Sequence, residues 1–299
     1  MSTVIRKLTP FQKLALAALV AFLVLFASLA AYRIVSGRSL GLRSLASGAV
    51  SFVKGLAGAD RVQQASSGDY TNVIFLHHSV GRNLIDQGGV RELLTQAGIT
   101  FWDHDYNDIG LRDPAGQYLG FSYNIPNDNT DFDGLAVLFS QRAYSLPVNA
   151  VSSLLQHEVI ILKSCYPNSA ISSAEQLRLH QEQFLSMRAA MDRHPDKLFI
   201  LVTQPPLIPS ETVAADADRA REMAAWLTSE EFLQNRANVV IFDFFDLLAV
   251  QDEASPERNM LRPEYRNGTD PHPNQSANET IGPLFAGFVL QAIDTFRAE

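Results

Sequence analysis

The sequence predicts a three-layer α/β/α sandwich built on a mostly parallel sheet, and three observations carry that reading. Four short apolar and β-branched runs, at residues 73–76, 159–162, 198–203 and 239–242, lack the alternation of a strand with one wet face. They read as strands buried on both faces. Long helical patterns separate them, the signature of a parallel sheet covered by helices on each side. Several of these runs end in a polar cluster, and open α/β sheets place their chemistry beyond the carboxyl ends of the strands.

The chain has 299 residues and a formal net charge of −8. Its first seventy residues lack a core pattern, so one domain is expected over residues 71–299, ample for a sizeable core. No basic stripe follows residue 70, which argues against nucleic acid as a partner. The lone Cys165 excludes an intrachain disulfide and a cysteine-built zinc site.

Residues 1–13 form a leader with Arg6, Lys7 and Lys13, and the next 19 residues, 14–32, carry no charge. That length crosses a bilayer core as a helix. A signal anchor is expected, because the apolar run exceeds a usual secretory h-region. A cleaved signal, with Ser28-Leu29-Ala30 near the cut, is the alternative. Arg33, Arg38 and Arg43 balance the charges of the leader, so the positive-inside rule does not fix the orientation. A short leader on a single span most often stays in the cytoplasm, which would leave the domain extracytoplasmic. Residues 33–70, rich in Ser, Gly and Ala, read as a tether.

After the first strand, residues 84–97 read as a helix interrupted by Gly88-Gly89, and 99–102 as a second short strand. The stretch 103–132 is dense in Asp, Asn, Gly and Tyr; a loop of that length is usually functional. Its aromatics Tyr106, Tyr118, Phe121 and Tyr123 suit a lid or substrate wall. Residues 134–144 and 148–155 look helical. A helix over 173–194 has Ser173 as its cap and Gln176 three residues on. Further helices are expected at 215–234 and at 276–296, the last interrupted by Gly282-Pro283. No GxGxxG or phosphate-loop motif is present, and no cofactor is expected.

Two segments bear chemistry. His77-His78-Ser79-Val80-Gly81-Arg82-Asn83 follows the first strand, and Gly268-Thr269-Asp270-Pro271-His272-Pro273-Asn274 precedes the last helix. Taken alone, Ser79 is better explained as a helix N-cap, and His272 is as well explained as an exposed loop histidine. Together they supply a hydroxyl, an imidazole and, in Asp270, a group to orient that imidazole, which is what nucleophilic catalysis needs. The N–H groups at the start of the helix after Ser79 suit a developing oxyanion.

On these residues the chain resembles the SGNH/GDSL hydrolase family of serine esterases, over about residues 72–295. The resemblance implies a flavodoxin-like three-layer domain, Ser79 as nucleophile and His272, followed by Pro273-Asn274, as base. It also implies an oxyanion hole completed by Asn168, in Tyr166-Pro167-Asn168-Ser169, and by Gly110, in Asn107-Asp108-Ile109-Gly110. Pro205-Pro206 also resembles the family. His78 and Asn83 are auxiliary candidates. The sequence departs from the family in two places: His77-His78-Ser79 stands where Gly-Asp-Ser is usual, and Asp270 lies two rather than three residues before His272, with Thr269 in the usual place. A backbone carbonyl orienting His272 is the alternative to Asp270.

The leading expectation is a membrane-tethered serine esterase acting on, or transferring, acyl groups of an envelope polysaccharide. A metal-dependent hydrolase would draw on His77, His78, Asp103, His104, Asp105, Asp270 and His272, without a His-Glu-x-x-His spacing in support. A non-catalytic binding module on the same fold is the third reading.

Overall fold

The computed structural model describes residues 66–129 and 132–298, together with Val24, Ala27, Ser28 and Val62. The expected leader, most of the expected membrane-crossing helix and most of the tether lie outside the described residues. Among the described residues no helix is long and apolar enough to cross a membrane. The chain divides into two compact units, Met1–Val53 and Lys54–Glu299; the fold below is that of the second.

Six strands form one sheet: β1 (Asn72–Leu76), β2 (Thr100–His104), β3 (Leu111–Arg112), β4 (Val159–Lys163), β5 (Leu198–Val202) and β6 (Val239–Phe242). Their order is β3-β2-β1-β4-β5-β6, with every pairing parallel except the β2–β3 edge. The order reverses at β1, between β2 and β4, and such a switch point opens a crevice beyond the strand ends. The four apolar runs are strands because each is covered on both faces. Val73 and Phe75 point into one core and Ile74 and Leu76 into the other, as the two-residue period of a strand requires.

Nine helices are described. They are α1 (Ser79–Gly88), α2 (Val90–Gln96), α3 (Phe132–Ser140), α4 (Ala150–Leu154), α5 (Ala174–Met191), α6 (Ala214–Leu227), α7 (Glu230–Leu233), α8 (Phe244–Leu248) and α9 (Gln275–Ala298). α1, α2 and α9 pack together on the Val73/Phe75 face, and α3, α5 and α6 cover the other. Ser173 caps α5, its hydroxyl accepting from the Gln176 N–H at 3.1 Å. The helix expected over 215–234 is two helices, since Ser229 starts α7 after the chain leaves α6 at Thr228.

α9 runs unbroken through Gly282-Pro283. Pro283 lies on the exposed side, where water can satisfy the carbonyl its missing N–H leaves free. Gly282 faces inward against Gly88 of α1; a Cβ on Gly282 would stand 2.2 Å from the Gly88 carbonyl oxygen. The two helix backbones touch there, and only glycine fits.

The stretch 103–132 is not a lid. β2 reaches His104, β3 returns beside it, and Phe121, Tyr123 and Ile125 are buried in the core. The Tyr123 hydroxyl pairs with His157 Nε2 at 3.0 Å, and His157 Nδ1 with Asn72 Oδ1 at 2.9 Å. Of the four aromatics expected to form a wall, Tyr106 reaches the site described below, and Tyr118 is exposed beneath the Arg112 guanidinium.

Candidate active site

The Ser79 end of the site is built by the exit of β1. The His77 N–H extends the ladder to the His104 carbonyl at 3.0 Å. The buried His77 ring is fixed at both nitrogens, Nε2 lying 2.9 Å from Asp103 Oδ2 and Nδ1 2.9 Å from the His78 carbonyl. His78 is extended and forms the N-cap without a side-chain cap bond, so Ser79 is the first residue of α1. The Ser79 hydroxyl is therefore not spent as a cap. The first N–H groups of a helix have no intrahelical acceptor, and those of α1 lie beside it. Gly81 lets this turn sit on His77: a Cβ there would stand 2.4 Å from the His77 Cβ.

Asp103 anchors the layer beneath. Burial would raise its carboxyl, but the His77 hydrogen bond and the Arg91 and Arg112 charges outweigh burial and hold it below the usual carboxylate range. Asp105 is treated likewise, burial being outweighed by the Arg82 hydrogen bond at 2.5 Å and the bond from the Tyr106 N–H.

The His272 end is a stiffened loop before α9. Residues 267–270 turn back on themselves, the Asp270 N–H donating to the Asn267 carbonyl at 3.0 Å with Gly268 at φ +60°. Pro271 and Pro273 then flank His272 and restrict its backbone. Asn274 pins the loop from both sides. Its Oδ1 accepts from the Ala277 N–H at the start of α9, and its Nδ2 donates to the Glu264 and Arg266 carbonyls.

These two ends meet. Ser79 Oγ lies 2.8 Å from His272 Nε2, and His272 Nδ1 lies 2.6 Å from Asp270 Oδ1. The same carboxylate oxygen accepts the His272 backbone N–H at 2.9 Å, so a separation of two residues lets Asp270 reach both the backbone and the ring of His272. The backbone and ring bonds from His272 hold the Asp270 carboxyl below its ordinary range. Tyr166, after β4, packs edge-on to the His272 ring with centroids 5.3 Å apart. A polar cleft of about 500 Å³ opens beside the pair, lined by Asn83, Gln87, Asn267, Asp270, His272 and neighbouring α9 residues.

Gly110 is a correction. Its N–H is committed to the Tyr106 carbonyl at 2.7 Å, and its φ of +81° and contact with the Phe121 carbonyl explain the glycine. Its N–H is not a free oxyanion donor. Asn168 is buried in the 3₁₀ turn Tyr166–Ser169 at the exit of β4. Asn83 lines the cleft one turn along α1 from Ser79. His78 is buried beneath the 103–132 segment, stacked on Tyr106 with ring centroids 3.8 Å apart and 19° between planes.

The seven side chains weighed as metal ligands are spread over different partners. Asp270 and His272 face Ser79, His77 and Asp103 bind each other, Asp105 holds Arg82, and His104 Nε2 meets Ser122 and the Tyr123 N–H. Among the described residues no three converge on a common point.

Tyr166 is a contributor to which the sequence assigned no role, and Tyr106, expected only as part of a lid or wall, reaches Ser79 itself. Both lie just past strand ends, and position relative to strand ends was the one available signal.

No family model matches the chain, and no curated protein matches it. Among solved structures, the chain is similar to a "putative acylhydrolase" from Bacteroides fragilis NCTC 9343, at 12% sequence identity and a TM-score of 0.46, over 79% of this chain and 95% of that one.

Proposed function

We propose that the protein is a serine esterase of the SGNH/GDSL type, with Ser79 as nucleophile, His272 as general base and Asp270 as the group that orients it. The observation that carries this reading is the 2.8 Å separation of Ser79 Oγ and His272 Nε2, within the reach proton transfer requires. As Ser79 Oγ attacks an ester carbonyl, its proton passes to His272 Nε2 and the carbonyl opens to an oxyanion facing the first N–H groups of α1. Collapse expels the alcohol, which takes the proton from His272 and leaves acyl-Ser79. Water, deprotonated by His272, then releases the acid. Asn168 is the side-chain donor we assign to the same oxyanion.

The substrate class we infer is an acyl ester, such as an acetyl group, on an envelope polysaccharide. The amides of Asn83, Gln87 and Asn267 along the cleft suit sugar hydroxyls. The uncharged stretch 14–32 would tether the domain to the membrane from outside the cytoplasm. The test is fluorophosphonate labelling together with hydrolysis of p-nitrophenyl acetate. Labelling should vanish in Ser79→Ala and turnover in His272→Ala; full turnover in either variant would overturn the reading.

A further inference from the structure

We propose that the Tyr106 hydroxyl is a hydrogen-bond donor at the reacting centre, filling the place in the oxyanion set that Gly110 leaves open. The proposal rests on the serine-esterase reading above. Tyr106 OH lies 3.5 Å from Ser79 Oγ, long for a resting hydrogen bond. A donor aimed at an oxyanion should be long to the nucleophile, because the charge develops on an oxygen attached to the carbon that Ser79 attacks.

The ring has little freedom to be anywhere else. Its backbone N–H donates to Asp105 Oδ1 at 2.8 Å, and its carbonyl accepts from the Ile109 and Gly110 N–H groups at 2.9 and 2.7 Å. Asp105 is in turn clamped by Arg82, whose guanidinium stands 5.8 Å from the Tyr106 ring centroid. The His78 ring lies flat against the phenol. Neither His78 ring nitrogen has a hydrogen-bond partner of ordinary geometry among the described residues, and burial pushes its pKa down to about 4. A buried, neutral imidazole whose polar contact is a poorly aligned one to the Asp128 backbone is a costly way to fill space. As a flat platform it fixes the ring plane, and with it the direction of the hydroxyl. Gly110 belongs to the same device: its N–H closes the turn that carries Tyr106.

In the reaction Tyr106 donates a hydrogen bond and keeps its proton. The Ser79 proton goes to His272 and onward to the leaving alcohol, so no further acid or base is needed.

The experiment is steady-state hydrolysis of p-nitrophenyl acetate, with active sites counted by fluorophosphonate titration. Tyr106→Phe keeps the ring and its stacking and removes only the oxygen. It should lower kcat about 100-fold and leave KM within about twofold, because the bond is made in the transition state. His78→Ala should lower kcat in the same way by freeing the ring, and His78→Phe should recover most of the loss. A wild-type kcat in Tyr106→Phe, or a raised KM with kcat unchanged, would overturn the donor role while leaving Ser79 and His272 in place. No labelling and no turnover in the wild-type protein would overturn the esterase reading and this proposal with it.

Discussion

Asp270 Oδ1 accepts two hydrogen bonds from His272, one from its backbone N–H at 2.9 Å and one from ring Nδ1 at 2.6 Å. A single carboxylate oxygen thus fixes both the loop and the imidazole plane, leaving Nε2 turned to Ser79. Asp270→Ala should lower kcat for p-nitrophenyl acetate about 10²- to 10³-fold. That is below the roughly 10⁴-fold loss seen when a buried orienting aspartate is replaced, because this side chain is 47% exposed and water can take over part of its role. An unchanged kcat would mean that Pro271 and Pro273 suffice to orient the ring.

Gly81→Ala tests the seat of Ser79. The new methyl would stand 2.4 Å from the His77 Cβ, and the His77 ring is held at both nitrogens. The start of α1 must shift instead, carrying Ser79 with it. Overpacking of this kind costs about 1–3 kcal/mol, and an ångström of misplacement costs about 100-fold in rate. Thermal unfolding and kcat should fall together.

Gly282→Ala acts at the crossing of α1 and α9. Its Cβ would meet the Gly88 carbonyl oxygen at 2.2 Å, and neither backbone can yield without moving its helix. A loss of about 1–3 kcal/mol is expected in urea unfolding, with a lower fluorophosphonate labelling rate because Ser79 and His272 ride on opposite sides of that contact. Leu284→Ala, at a side chain 52% exposed two residues on, should leave stability nearly unchanged.

Acid should weaken the fold before the carboxylates titrate. Burial lowers the His78 and His104 pKa values to about 4 and that of His157 to about 3, while an unfolded imidazole titrates near 6.5. Below that value the unfolded chain binds protons that the folded chain refuses, so stability falls with falling pH from about 6.5 down to these folded values. Each imidazole contributes up to about 1.4 kcal/mol per pH unit. Asp103 and Asp105, depressed in the folded state, add stability above the unfolded carboxylate pKa that is lost as pH falls through their lower folded values. Urea midpoints measured between pH 7 and 4 should report an uptake of about two or more protons on unfolding near pH 5; an uptake below one would contradict the burial of these rings.

The strands β1, β4, β5 and β6 were legible because burial on both faces leaves unbroken apolar runs. Their boundaries in the structure fall within about one residue of those runs. The cap of α5 was legible from Ser173 itself. β3 was not, since two residues carry no period and only their pairing with Asp103 and His104 makes them a strand. The burial of Phe121 and Tyr123 was hidden for a related reason: an irregular backbone has no periodicity to announce which side chains point inward. Gly110 was placed at the oxyanion only by the family resemblance, whereas the positive φ of its turn explains the glycine here. Ser79 and His272 could be named from their places at a strand exit and before the closing helix. Tyr106 could be named only as one of four loop aromatics, because the path of a loop decides which of its side chains reaches back to that edge.

The crossing of α1 and α9 also has a consequence for the nascent chain. The hydroxyl is synthesised 193 positions before its imidazole, and the two are united only when the closing helix lies against Gly88. On the esterase reading proposed above, a polypeptide still on the ribosome, or one whose carboxyl-terminal helix has come away, carries the serine without its base and should not turn over substrate. On that reading turnover would report completed folding, with docking of the last helix as the step that assembles the site.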